Sequence, residues 1–125
     1  MLHILADDMY IETGGAAVTQ YTEPLPLDGK SAVLIEAWLM SARGLSGLGV
    51  TIVLEASSDL DNWKQYYYPF QISFTSMSEL WASGPSGTIS SIDPIPFEFV
   101  RLAITLNDTS AAAVIRAGVR PRNLM

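Results

Sequence analysis

Apolar and polar residues alternate along much of this chain in short runs. At 50–57, VTIVLEAS, Val50, Ile52, Leu54 and Ala56 fall on one side and Thr51, Val53, Glu55 and Ser57 on the other. At 97–106, FEFVRLAITL, Val100, Leu102, Ile104 and Leu106 share a side opposite Phe97, Phe99, Arg101, Ala103 and Thr105. Successive side chains of a strand point to opposite faces, so each segment is predicted to be a strand with one buried face. Arg101 and Glu55 both lie on the polar sides of their strands. If the two strands are neighbours, they form a cross-strand ion pair; the alternative is that Arg101 contacts a partner.

Turn-forming residues cut the chain at 14–15, 24–29, 43–49, 57–62, 83–87, 93–96, 107–110 and Pro121. The pieces between them have strand length, the spacing expected of an all-β sandwich or barrel. Residues 83–91, SGPSGTISS, read as a loop. The Ala-rich segment 111–120 has helical propensity. It is short and follows the NDTS turn, so it is predicted to be the return strand of a hairpin.

The segment 32–40, AVLIEAWLM, reads two ways. As a helix it would be capped by Ser31 and ended by Gly44. As a strand, which its proline-rich entry and β-branched pair favour, it places Val33, Ile35, Ala37 and Leu39 on one face and Leu34, Glu36, Trp38 and Met40 on the other. A sandwich strand has one core face. Leu34, Trp38 and Met40 are therefore the expected subunit interface. Tyr66, Tyr67, Tyr68, Pro69 and Phe70 form a second aromatic stretch in which Tyr67 opposes Tyr66, Tyr68 and Phe70. Pro69 marks an edge or a bulge. The edge is a candidate docking surface for a neighbouring copy, a glycan platform or a lid on the core.

The fold class that follows is all-β, an antiparallel two-sheet β-sandwich, jelly-roll-like, with about eight strands; an Ig-like topology is the alternative. At 125 residues it is expected to be one domain, 1–125, with 1–15 as a candidate extended N-terminal arm and 116–125 as a basic C-terminal tail. Apolar residues make up 49% and charged residues 16%, against a typical ~25%, which leaves apolar surface for a subunit or partner.

A net charge of −6 argues against nucleic-acid binding. The charge is uneven: nine acids stand against Lys30 and Arg43 in residues 1–61, whereas Arg101, Arg116, Arg120 and Arg122 face Asp108 alone at the other end. Opposite polarity of the two ends suits head-to-tail contacts between copies. Snorkelling of the tail arginines into water is the plainer reading. The chain has no cysteine, which removes disulfides and thiolate metal sites. MLHILADDMY lacks a basic region and is broken by Asp7 and Asp8, unlike a signal peptide. No apolar run has the length of a spanning helix. The expected setting is the cytoplasm, without membrane contact.

Candidate chemistry is sparse. Asp59, Asp61 and Asn62 in the turn SDLDN offer oxygens for calcium, a weak candidate beside the ordinary reading of Asx side chains bonding their own backbone. His3 is the single histidine, near the chain start. No G-x-S-x-G elbow is present, and GGAA and GLSGLG lack the lysine of a phosphate loop. No catalytic residue and no cofactor is expected.

The pieces LEASSDLDNW at 54–63 and FEFVRL at 97–102 resemble two groups. One is the discoidin-like jelly roll, whose turn favours Asp-Gly where this chain has Leu60 and Asp61. The other is the small structural proteins of tailed-phage particles. The resemblance covers about a quarter of the chain and implies fold more than function. The expected function is a non-enzymatic structural protein of a virus particle, made in the host cytoplasm. It would decorate or stabilise a capsid or tail by binding copies of itself and a larger capsid or tail protein. Leu34, Trp38, Met40 and Tyr66–Tyr68 would cover subunit contacts, and Arg116, Arg120 and Arg122 would reach an acidic neighbouring surface. The alternative is a carbohydrate-binding β-sandwich module with Trp63, Tyr67 or Trp81 as stacking platforms and Asp59/Asp61 as polar or calcium groups.

Overall fold

The alternating segments at 32–40 and 50–57 become strands, and that at 97–106 does so from Phe99 on. The computed structural model describes residues 2–30, 32–66, 72–74, 79–84 and 98–122, with side chains described for 2–30, 32–65 and 98–121. Ten strands lie within them: β1 (His3–Glu12), β2 (Val18–Tyr21), β3 (Leu25–Pro26), β4 (Ala32–Arg43), β5 (Val50–Ser57), β6 (Lys64–Tyr66), β7 (Ile72–Phe74), β8 (Glu79–Gly84), β9 (Phe99–Leu106) and β10 (Ala112–Arg122). No helix occurs among the described residues.

The strands form two antiparallel sheets. The first runs β1-β10-β4-β8; the second runs β2-β9-β5-β6, with β3 also on β9 and β7 also on β5. The protein is an antiparallel two-sheet β-sandwich, jelly-roll-like in architecture. The core lies between the sheets and is built from the predicted faces. Val33, Ile35, Ala37 and Leu39 of β4 and Ile115, Ala117 and Val119 of β10 come from one sheet. Val50, Ile52, Leu54 and Ala56 of β5 and Val100, Leu102, Ile104 and Leu106 of β9 come from the other. Each large aliphatic side chain buried this way contributes about 1.5–3 kcal/mol of transfer free energy. That burial is why segment 32–40 is a strand: only a period of two places its four core residues on one side.

Three expectations are corrected. Residues 111–120 are not the return of a hairpin. β9 sits between β2 and β5 in the second sheet, while β10 sits between β1 and β4 in the first. The 107–110 turn is thus a corner that carries the chain across the sandwich, and the apolar faces of β9 and β10 join the core from opposite sheets. The N-terminal residues are not a free arm. His3–Glu12 pairs along β10 and sends Ala6 and Ile11 into the core. Its register shifts on both sides of Ala6, and Asp8 has a φ of 54°. Such bulges and charges blunt an exposed strand edge. Nor is the basic segment a tail as far as it is described: residues 116–122 pair with β4 from Trp38 to Ala32.

The corner end is closed by a polar clip. Asp108, only 4% exposed, accepts hydrogen bonds from the Ser46 hydroxyl at 2.8 Å and the Gly49 amide at 2.8 Å. The Asp108 carboxyl is held below the usual carboxylate range by these two donors, Ser46 first. The Thr13 hydroxyl donates to the Asp108 carbonyl at 2.7 Å and accepts from the Ala111 amide at 2.9 Å. Gly44 fits this end because its φ is +78° and a Cβ there would collide with the Ser110 carbonyl.

Candidate functional site

The outward side of the second sheet carries a groove of about 290 Å3 lined by Thr19, Tyr21, Thr51, Val53, Gln65, Ala103, Thr105 and Asn107. Strand register builds it. Thr19, Thr105 and Thr51 form one row across β2, β9 and β5, and Tyr21, Ala103 and Val53 form the next. Arg101, Glu55 and Gln65 form the third row, across β9, β5 and β6. The middle row supplies a small apolar floor, Ala103 and Val53, with the half-exposed Tyr21 ring at its β2 end. Hydroxyls stand on one side: the Thr19 and Thr105 Oγ1 atoms are 2.7 Å apart, and Asn107 Nδ2 donates to Thr51 Oγ1 at 2.9 Å.

The third row is an ion pair with aromatic support. Arg101 Nε donates to Glu55 Oε1 at 2.7 Å, and Gln65 Nε2 donates to Glu55 Oε2 at 2.9 Å. The guanidinium carbon lies 4.1 Å from the centroid of the Tyr21 ring and 4.1 Å from that of Trp63. Stacking suits the planar guanidinium, whose weak hydration makes contact with rings favourable. Glu55 is 3% exposed, so its charge is compensated inside the face.

The 57–62 turn places Trp63. Leu60 has a φ of 67°. Asp59 Oδ1 accepts from the Asn62 amide at 2.8 Å, the Asp61 amide at 2.9 Å and the Ser57 hydroxyl at 3.0 Å. Its Oδ2 accepts from Asn62 Nδ2 at 2.8 Å. These bonds, the Asn62 amide first, hold the Asp59 carboxyl well below the usual carboxylate range. Trp63 Nε1 donates to the Leu60 carbonyl at 3.2 Å. Both oxygens of Asp59 are therefore engaged in the turn, the Asx arrangement expected beside the calcium reading. No group of three or more His, Cys, Asp or Glu side chains that could hold a metal ion occurs among the described residues.

The other residues singled out from sequence fall elsewhere. Leu34 and Trp38 are half-buried and Met40 is 46% exposed, all on the outward side of the first sheet with the exposed Arg116. Arg120 is tied within its own chain, its Nε donating to Glu36 Oε2 at 2.8 Å. Tyr66 is described only as backbone of β6, Trp81 only as backbone of β8, and Arg122 only as backbone of β10. Tyr67 and Tyr68 lie outside the described residues. The structure thus brings Glu55, Arg101 and Trp63 together, and adds Tyr21 and the threonine row, which the sequence reading missed. The alternating VTQY of β2, with Thr19 and Tyr21 on one side, is the signal that could have found them.

The fold and this face define a class: a β-sandwich with a polar groove and an aromatic wall on one sheet. Among solved structures, the chain is similar to a Family 16 Carbohydrate Binding Module-2. The TM-score is 0.50 and the identity 11%, over 85% of this chain and 70% of that one. It is also similar to part of dimeric latent PorU from Porphyromonas gingivalis, with a TM-score of 0.43 and 17% identity over 96% of this chain and 12% of that one. The likeness to the carbohydrate-binding module is one of fold. No protein-family model matches the chain, and no curated protein matches it.

Proposed function

We propose that this protein is a non-catalytic carbohydrate-binding module that holds its ligand in the groove of the second sheet. The observation that carries the reading is the groove's construction: an apolar floor of Ala103 and Val53, the Tyr21 ring at one end, and hydroxyl and amide groups along the sides. A sugar ring has an apolar face and a rim of hydroxyls, and such a surface meets both. Glu55, in the row next to the groove floor, is committed to Arg101 and Gln65, which favours holding over hydrolysis. The likeness in fold to a carbohydrate-binding module supports the same reading.

Affinity electrophoresis through gels containing soluble polysaccharides tests it. Retardation by at least one polysaccharide is expected, with loss of retardation in Tyr21→Ala, which removes the aromatic wall without touching the core. Unretarded migration through every gel would count against the proposal.

A second reading has its own observation. The outward side of the first sheet exposes Met40 at 46% and Tyr10 at 54%, beside the half-buried Leu34 and Trp38. That surface suits contacts with copies of this chain and with a larger shell or tail protein, as in a structural component of a virus particle. Light scattering across a concentration range tests it: a closed oligomer that Trp38→Asp dissociates would favour it, and a monomer at every concentration would oppose it.

A further inference from the structure

Resting on the carbohydrate reading, we propose that the groove selects uncharged sugars over anionic ones, with Arg101 acting as a positioning residue for Tyr21 instead of as an anion receptor. An arginine at the edge of a sugar groove would ordinarily point to a carboxylate-bearing ligand. The geometry here points the other way.

Arg101 is engaged in two directions. Its Nε edge is taken by Glu55 at 2.7 Å, and its guanidinium carbon lies over the rings of Tyr21 and Trp63, 4.1 Å from each centroid. An incoming carboxylate at the Nη edge would meet a cation whose charge Glu55 already balances, and one that took the Nε edge would pull the guanidinium from Glu55. Glu55 is 3% exposed, so it would be left as a buried charge without its counterion. If the pair stayed intact, the same anion would approach Glu55 as a like charge in a partly desolvated site. Both routes penalise an anion. Neither touches a neutral ligand, because the remaining lining is hydroxyls, amides, one phenol and two small apolar side chains.

The stack also gives Arg101 its role. Tyr21 ends the four-residue strand β2 and is half exposed. The guanidinium, itself anchored by Glu55 and flanked by Trp63, supplies a fixed planar contact. Trp63 is held in turn by the Asp59 turn and the Leu60 carbonyl. A wall that is ordered before binding loses less side-chain entropy when the ligand arrives.

Calorimetric titration of the full chain with paired probes tests the proposal. The probes are short oligomers of glucose, galactose and mannose and the corresponding oligouronates, at salt of about 0.01 and 1 M. The expected result is binding of at least one neutral oligomer, at least about tenfold tighter than its uronate, with affinity independent of salt. Arg101→Lys, which keeps a charge for Glu55 but not the planar stack, is expected to stay folded and bind the neutral oligomer roughly tenfold more weakly. Tighter, salt-sensitive binding of the uronate, lost in Tyr21→Ala, would overturn the selectivity while leaving the groove a carbohydrate site. Unchanged neutral binding in Arg101→Lys would overturn the positioning role. Silence with every oligomer would overturn the carbohydrate reading and the selectivity with it.

Discussion

The outward faces of the two sheets carry similar materials, aromatic rings, arginines and glutamates, in opposite states. On the second sheet, Arg101 has a side-chain exposure of 21% and Glu55 of 4%, and two rings cover the guanidinium. On the first, Arg120 and Glu36 make an ion pair of nearly the same length, 2.8 Å, at exposures of 43% and 22%. What separates them is solvent. The covered pair is held in one arrangement by rings and by Gln65, whereas the exposed pair shares its charge with water. One face thereby holds a covered, ordered ion pair, and the other is a surface with half-buried apolar residues.

Breaking each pair should expose the contrast. Arg101→Ala leaves Glu55 buried without its cation and is expected to destabilise the fold by about 3 kcal/mol, read from urea unfolding midpoints. Acid comes next. The folded-state pKa values of Asp59 and Asp108 are both lowered, so their stabilisation is full above the ordinary carboxylate value of about 3.8 and lost as pH falls below it. Thermal melts from pH 5 to pH 2 (roughly the span of carboxylate titration) should show a falling midpoint, with a shallower slope in Asp59→Ala and in Asp108→Ala. Arg120→Ala, on the exposed face, should cost less than about 1 kcal/mol, and added salt should narrow even that difference. Equal losses at Arg101 and Arg120 would erase the distinction between the two faces. Tyr21→Ala is expected to move stability least, while removing binding in the groove.

The sandwich was legible because one rule, period-two alternation, assigns the core-facing residues of β4, β5 and β9 alike. The Glu55–Arg101 pair was legible for the same reason, since it needed only that the two strands be neighbours. What alternation cannot show is which strands become neighbours and which turns cross the sandwich. The 107–110 turn has hairpin chemistry, yet Asp108 binds the 46–49 loop and Thr13 instead of closing a two-strand ribbon. The basic end of the chain looked like a charge pole because charge was counted along the sequence. In the fold, Arg120 of β10 meets Glu36 of β4, and Arg43 meets Glu12 of β1 at 2.8 Å. Tyr21 escaped notice because its strand is four residues long, and its place beside Arg101 depends on β2 pairing with β9.

The most direct test of the central claim is a titration of the amide correlation spectrum of the uniformly labelled chain with neutral oligosaccharides. Shifts gathered at Thr19, Tyr21, Thr51, Ala103, Thr105 and Asn107, with Leu34, Trp38, Met40 and Arg116 silent, are the predicted result. Shifts confined to the first sheet, or a spectrum that no sugar moves, would contradict it.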